Sequence, residues 1–412
     1  MTEPSAPQFS APQPTALQPT HDAPYRGLRV LDLGQGVASP YCGQLLAVYG
    51  AEVVKLEPPE GDWSRRLGTT YGGHSALSAV FNRGKRSLCV DLKHEAGRRI
   101  ARDLALQADV LIEGFRPGVA ARLGLGYDSL SAENPGLIMV SVSGFGQAGP
   151  LAARPCSDSV GQAFSGLVSL NAGADGIPHR VGATVTDVST GLYAFQAVAT
   201  ALFARAAVGR GRWIDVSLTQ STAALLGHKL AEHVLEGGSP RALNAPAGVY
   251  PTRDGWIMVT LVTEAQYRSL CRVIGRQDLA EDPRFADFAR RSDVADLLVP
   301  QIAEALRTDT TSAWLERLLA GDVIAERILD PGEWAREPHV VETDAVVEVA
   351  TPGVGGVQVP RTPGALHASE TALAAAPAVG QDSRAVLRAA GLGKAEIDAL
   401  VAAGTVREAG AA

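Results

Sequence analysis

Leu28-Arg29-Val30-Leu31-Asp32-Leu33 breaks at Gly34-Gln35-Gly36, continues as Val37-Ala38-Ser39-Pro40, and is answered by Ala51-Glu52-Val53-Val54-Lys55-Leu56-Glu57. Both apolar runs have the length and leucine–valine texture of short strands. The glycine pair ends the first one. A helix is expected over 40–49, opened by Pro40, because proline's missing N–H removes no hydrogen bond in a first helical turn. The second strand covers 51–56 and ends at Glu57. Further along, the pattern predicts a helix over 94–107, strands over 110–112 and 136–142, and a long Ala-rich helix over 188–207. Gly209-Arg210-Gly211 closes that helix, and a strand follows over 213–218. Strands alternating with helices at this spacing predict an α/β fold around a largely parallel, doubly wound sheet.

The chain has 412 residues, too many for one ordinary domain of roughly 100–200. Its texture changes near residue 225. A strand, a turn at Arg253-Asp254-Gly255 and a second strand are expected over 250–262, then helices over 264–274, 294–306 and 311–319. This is the pattern of a smaller α+β domain. Residues 346–361 are extended and rich in Gly, Pro and Val, and a helix pair over 382–391 and 394–403 closes the chain. Residues 1–24 carry six prolines and no apolar core for a secretory signal, so they are expected to be a disordered extension.

The 37 basic and 44 acidic residues leave a net charge of −7, which gives no general attraction to nucleic acid or to an anionic membrane. No stretch approaches eighteen uninterrupted apolar residues, so no membrane span is expected. Cys42, Cys89, Cys156 and Cys271 are far apart and form no CxxC pair; they are expected to be reduced thiols in a cytoplasmic protein. His228 and His233 are five apart and do not share a helix face, so no metal site is expected. No GxSxG nucleophile elbow occurs.

Two local signals bear on chemistry. The Gly34–Gly36 turn resembles the first motif of S-adenosylmethionine methyltransferases, and also the start of a dinucleotide fingerprint with Glu57 at the ribose position. Neither pattern is complete, since Ala38 and Ser39 stand where a third glycine belongs. The second signal is Asp187, a lone carboxylate between apolar runs in Thr184-Val185-Thr186-Asp187-Val188-Ser189-Thr190, at an expected strand-to-helix junction. It suits a helix cap, and it equally suits a carboxylate nucleophile held at the positive end of a helix.

As a whole the chain resembles the class III coenzyme A transferases, a family that also contains α-methylacyl-CoA racemase. The resemblance runs from about residue 26 to 406. It is carried by the opening strand, by Phe81-Asn82-Arg83-Gly84-Lys85-Arg86-Ser87 and by Asp91-Leu92-Lys93. Phe115-Arg116-Pro117-Gly118, Asn134-Pro135, Ser143-Gly144-Phe145-Gly146 and the 162–166 stretch extend it.

The resemblance implies a large Rossmann-like domain assembled from 25–224 and a return segment 336–412, with a small α+β domain inserted over 225–335. It also implies a homodimer of two interlocked, ring-like chains. Asp187 falls at the family's catalytic aspartate. That residue attacks an acyl-CoA thioester, passes through an acyl–aspartyl anhydride and an aspartyl-CoA thioester, and hands CoA to an acceptor carboxylic acid. Val37 and Ala38 fall where the backbone meets the pantetheine arm; Lys93, Phe115, Arg116 and Arg122 fall where adenine and phosphates are held. Coenzyme A enters as substrate, and no permanently bound cofactor is implied. Pro58 and Gly114 replace an arginine and an asparagine of formyl-CoA transferase, which argues against formyl-CoA and oxalate. Ser157 replaces the histidine of the racemase base pair, so transfer is expected ahead of racemisation, with methyl transfer as the remaining rival.

Overall fold

The computed structural model describes residues 20–173, 176–238, 244–366, 369 and 373–410. Most of the expected 1–24 extension therefore lies outside the described residues. The chain divides into two compact units, one made of the chain up to Leu226 together with Asp344–Ala412, the other of Gly227–Thr343.

The first unit is built on six parallel strands: β1 (Arg29–Asp32), β2 (Glu52–Glu57), β3 (Lys85–Val90), β4 (Val110–Glu113), β5 (Ile138–Ser143) and β6 (Trp213–Ser217). Their order is β3-β2-β1-β4-β5-β6, that of a Rossmann sheet. A two-residue strand, Val406–Arg407, adds antiparallel to the β3 edge through Val406 opposite Val90. The chain winds outward from β1 through β2 to β3, then returns to β4 on the other side of β1. A crevice is thereby left at the carboxyl ends of β1 and β4, the place where such sheets bind ligands.

Both faces of the sheet are covered. One core joins Leu31, Leu56, Leu88, Leu111 and Met139 to Ile100 and Ala101 of helix Glu95–Gln107 and to Val386, Leu387 and Ile397 of the carboxyl-terminal helices. The other joins Val30, Val53, Val110, Ile138 and Val140 to helices Ala38–Val48 and Val185–Val208 through Cys42, Leu46, Ala194 and Val198. Alternate strand residues feed opposite cores, as the period of two demands.

Two local expectations change. The first helix begins at Ala38, so Pro40 is its third residue; Val37 is the N-cap and makes no side-chain cap bond. The long helix begins at Val185, which places Asp187 inside the first turn rather than at a strand-to-helix junction. Strand β3 has no marker in its composition, because Lys85 and Arg86 lead it; Lys85 is buried against Asp32, the Pro40 carbonyl and Asn82. The long helix, of 24 residues, is also apolar enough over an 18-residue window (mean hydropathy 1.3) to cross a membrane by length and composition. Its small residues Gly191, Ala194, Val198 and Ala201 are buried in this unit.

The second unit carries a three-stranded antiparallel sheet, β7 (Gly248–Pro251), β8 (Trp256–Thr260) and β9 (Ile324–Arg327), in the order β7-β8-β9. Helices Glu264–Val273, Ala295–Leu306 and Thr311–Ala320 pack on it around Tyr250, Ile257, Tyr267 and Trp314. Arg291, fully buried there, is neutralised by Glu264 at 2.8 Å and sandwiched between the rings of Tyr267 and Phe288.

Candidate active site

The turn after β1 is held by buried charge. Gly34 donates its N–H to Asp32 at 2.8 Å, and Lys55 donates to the Gly34 carbonyl at 2.6 Å. Gly36, at φ +83°, donates to Asp62 at 3.0 Å, and Asp62 pairs with Lys55 at 2.9 Å. Lys85 joins Asp32, at 2.8 Å, to the Pro40 carbonyl, at 2.7 Å. All four charged side chains are buried. Burial draws the Lys85 ammonium down to about 8 against the pull of Asp32. Two buried ion pairs thus clamp residues 34–40, the backbone that faces the crevice.

That arrangement argues against the dinucleotide reading of the turn. A Cβ on Gly34 would lie 2.2 Å from Ser39 Cβ, and one on Gly114 would lie 2.8 Å from Ser39 Oγ. Ser39 therefore fills the close-approach space a pyrophosphate would need, and Gly114 is required to admit it. Glu57 is not free to hold a ribose. Its two oxygens accept from Arg65 Nε and Nη2 at 2.7 Å each, from Ser87 at 2.8 Å and from the Asp62 N–H at 3.0 Å. Burial alone would raise its carboxyl, but Arg65 holds it low.

Asp187 is the third residue of its helix, whose N-cap Thr184 makes no side-chain bond. Its carboxylate does not cap the helix; Asp158 does so from another helix, Asp158–Phe164, accepting from the Thr186 N–H at 2.8 Å and the Asp187 N–H at 3.2 Å. The other Asp158 oxygen accepts from Gln162 at 2.7 Å, and Gln162 Oε1 accepts from the Val181 N–H at 2.9 Å. Thr222 donates to Thr186 Oγ1 at 2.9 Å behind this turn.

The Asp187 carboxylate itself accepts no hydrogen bond among the described residues. Burial first, and the nearby negative charge of Asp158 second, raise it from 3.8 to about 7. The half-buried Cys156 thiol feels that carboxylate too, being pushed up by burial and then by Asp187.

The structure joins Asp187 to the β1 turn. Gly191, one helical turn after Asp187, lies against Ala38 and Tyr41: a Cβ there would be 2.8 Å from the Ala38 carbonyl and 2.9 Å from Tyr41 Cβ. Val37 and Ala38 therefore sit beside the first turns of the Asp187 helix. Lys93 and Phe115, 22 residues apart in sequence, line one apolar cleft of about 330 Å³ with Leu33, Gln35, Leu56 and Arg98. Arg116 and Arg122 are exposed and do not line it. Asp158, Gln162, Gln35 and Arg98 have no local signal, since each is an ordinary polar residue until the fold brings its partners. Among the described residues no group of three His, Cys, Asp or Glu side chains could hold a metal.

A doubly wound sheet with a raised carboxyl at a helix start near its switch-point crevice places this chain among α/β proteins with a candidate acid–base or nucleophilic site there. The chain belongs to CoA-transferase family III, whose model matches residues 25–383. An acetyl-CoA:oxalate CoA-transferase from Acetobacter aceti is 36% identical over 348 residues, spanning 82% of this chain and 88% of its own. A succinyl-CoA–D-citramalate CoA-transferase from Chloroflexus aurantiacus is 33% identical, over 88% of this chain and 93% of its own. The human succinyl-CoA:glutarate CoA-transferase is 31% identical over 82% of this chain and 79% of its own. Among solved structures, a CAIB/BAIF family protein from Brucella suis superposes with a TM-score of 0.78 at 31% identity, covering 90% of this chain and all of that one. This chain is accordingly a CoA-transferase working between acyl-CoA thioesters and carboxylic acids.

Proposed function

We propose that Asp187 is the covalent nucleophile of that transfer. The observation that carries it is a carboxylate in the first turn of a helix that accepts no hydrogen bond among the described residues and is raised by burial to about 7. A poorly stabilised carboxylate is a better nucleophile than a solvated one. Its oxygen attacks the donor thioester carbonyl; the C–S bond breaks, leaving CoA thiolate and an acyl–aspartyl anhydride. The thiolate attacks the aspartyl carbonyl, the anhydride C–O bond breaks, and the donor acid departs as carboxylate. The acceptor carboxylate then displaces thiolate from the aspartyl-CoA thioester, and the thiolate attacks the acceptor carbonyl, regenerating Asp187. No proton is gained or lost over the cycle.

In this reading the first backbone amides of helix Ala38–Val48, at Val37 and Ala38, meet the thioester end of CoA. The Lys93–Phe115 cleft takes the nucleotide, with Phe115 offering a ring and Lys93 a charge at the rim. Arg116 and Arg122 reach its phosphates from the exposed side. Ser157 is an exposed hydroxyl without acid–base capacity near neutral pH, and both oxygens of Asp158 are engaged, which favours acyl exchange over α-proton exchange.

The protein acts as an interlocked homodimer in the cytoplasm, with no metal, permanent cofactor, nucleic acid or membrane. Unpartnered apolar surface supports the dimer. Phe203 is 83% exposed on the long helix, and Leu235 is 84% exposed on helix Gly227–Leu235, which buries none of its residues. Four free cysteines suit a reducing compartment.

Incubating the protein with acetyl-CoA or succinyl-CoA and a panel of acids that includes oxalate, glutarate and citramalate tests the mechanism. Mass spectrometry should find CoA on the peptide that holds Asp187. Transfer that persists in Asp187→Ala would refute it.

A further inference from the structure

Trp63 opens a short turn, Trp63–Arg66, whose preceding residue is Asp62. Asp62 accepts from both Gly36 and Ser64 and pairs with Lys55, so the backbone at Trp63 is locked to the β1 turn. The Trp63 N–H also meets Gln35 Oε1 at 3.4 Å. Its indole lies across Gly36: a Cβ on that glycine would be 2.4 Å from Cζ2, 3.0 Å from Cη2 and 3.3 Å from Cε2. Yet the side chain is 48% exposed and belongs to none of the buried cores. A large ring fixed by this much buried scaffolding, then left half open, is a surface built to receive something apolar.

Its place says what. On one side Gln35 lines the cleft with Lys93 and Phe115; on the other, Ala38 abuts Gly191, one turn from Asp187. A CoA molecule whose nucleotide lies in the cleft and whose sulfur meets Asp187 must pass its pantetheine arm over residues 35–38. We propose that Trp63 is the aromatic wall against which the pantetheine arm packs, a binding residue for the donor and for free CoA alike. This rests on the reading of the site as a CoA channel that ends at Asp187. The ring faces apolar carbon and amide, so it adds affinity along the arm and none at the phosphates.

The test uses Trp63→Phe, which keeps a ring over Gly36, and Trp63→Ala, with thermal unfolding to check that both fold. Binding of CoA and of adenosine 3′,5′-bisphosphate, which lacks the arm, is measured by calorimetry. The expected result is a roughly tenfold weaker Kd for CoA in Trp63→Ala and a smaller loss in Trp63→Phe. The bisphosphate Kd should not change, and acyl-CoA KM should rise while kcat stays within about twofold. Wild-type tryptophan emission should change on adding CoA, and the change should vanish in Trp63→Phe. Equal CoA affinity in all three proteins, or an equal loss for the bisphosphate, overturns the wall while leaving the transferase reading intact. A wild-type protein that binds no CoA overturns both. If Trp63→Ala does not fold, the emission and Kd of Trp63→Phe decide the question.

Discussion

Replacing Asp187 with Asn should make the protein more stable at alkaline pH while removing its transfer activity. The unfolded chain titrates this carboxyl near 3.8, the folded one near 7. Below pH 3.8 both states are protonated and the residue is neutral to stability. Between the two values the folded state keeps a proton that the unfolded state has released, so stability falls as pH rises. Above about pH 7 the folded state bears the whole cost of an ionised, poorly solvated carboxylate. The interval from 3.8 to about 7, at about 1.4 kcal/mol per tenfold, sets a ceiling of about 4 kcal/mol. Partial access to solvent screens the charge, so about 2 kcal/mol is expected.

Asn keeps the shape and cannot ionise; it also removes the repulsion with Asp158. Its advantage over wild type should therefore be small at pH 4.5 and grow to about 2–3 °C in Tm by pH 8.5. Scanning calorimetry of both proteins at the two pH values measures it. A variant offset by the same amount at both pH values, or less stable at pH 8.5, refutes the account of Asp187 as a buried carboxylate raised toward neutrality.

Three further outcomes follow from the same geometry. The donor kcat/KM should climb about tenfold per pH step below pH 7 and level off above it, because only ionised Asp187 attacks; a profile flat from pH 5 to 8 contradicts this. Arg65→Ala strands the buried Glu57 carboxylate and should cost about 3–5 kcal/mol by denaturant titration, whereas an exposed pair would cost under 1. Gly36→Ala must take up a φ of +83° and drive a methyl into the Trp63 ring, so a loss of about 1–3 kcal/mol is expected in the same titration; a neutral result would mean the ring is not held against Gly36.

Some of this was legible in the residues and some was not. The βαβ opening, the long helix and the β7–β8 hairpin follow from local alternation and from glycine breaks, which need only neighbours a few residues away. β3 was not legible, because Lys85 and Arg86 contradict a buried strand until Asp32, 53 residues earlier, pairs with Lys85. Asp187 stood out locally, but as a residue with two roles. Asp158, 28 and 29 residues away, takes the capping bonds from the Thr186 and Asp187 amides, and among the described residues the Asp187 carboxylate accepts none. Glu57 shows the reverse: its position after β2 suited a ribose, and Arg65 and Ser87 take it into a buried network instead.

Residue order and local pattern were enough for the α/β class, the approximate places of most strands and helices, the likeness to CoA-transferases and the choice of Asp187 as the carboxylate to test. Those rest on short-range periodicity and on residues that match in order along the chain. The tertiary structure decided which charges are neutralised, which carboxylate is left unsatisfied, and which distant residues share a cleft. Burial and pairing are properties of three-dimensional neighbours, and a carboxylate's energy depends on them far more than on the residues beside it in the chain.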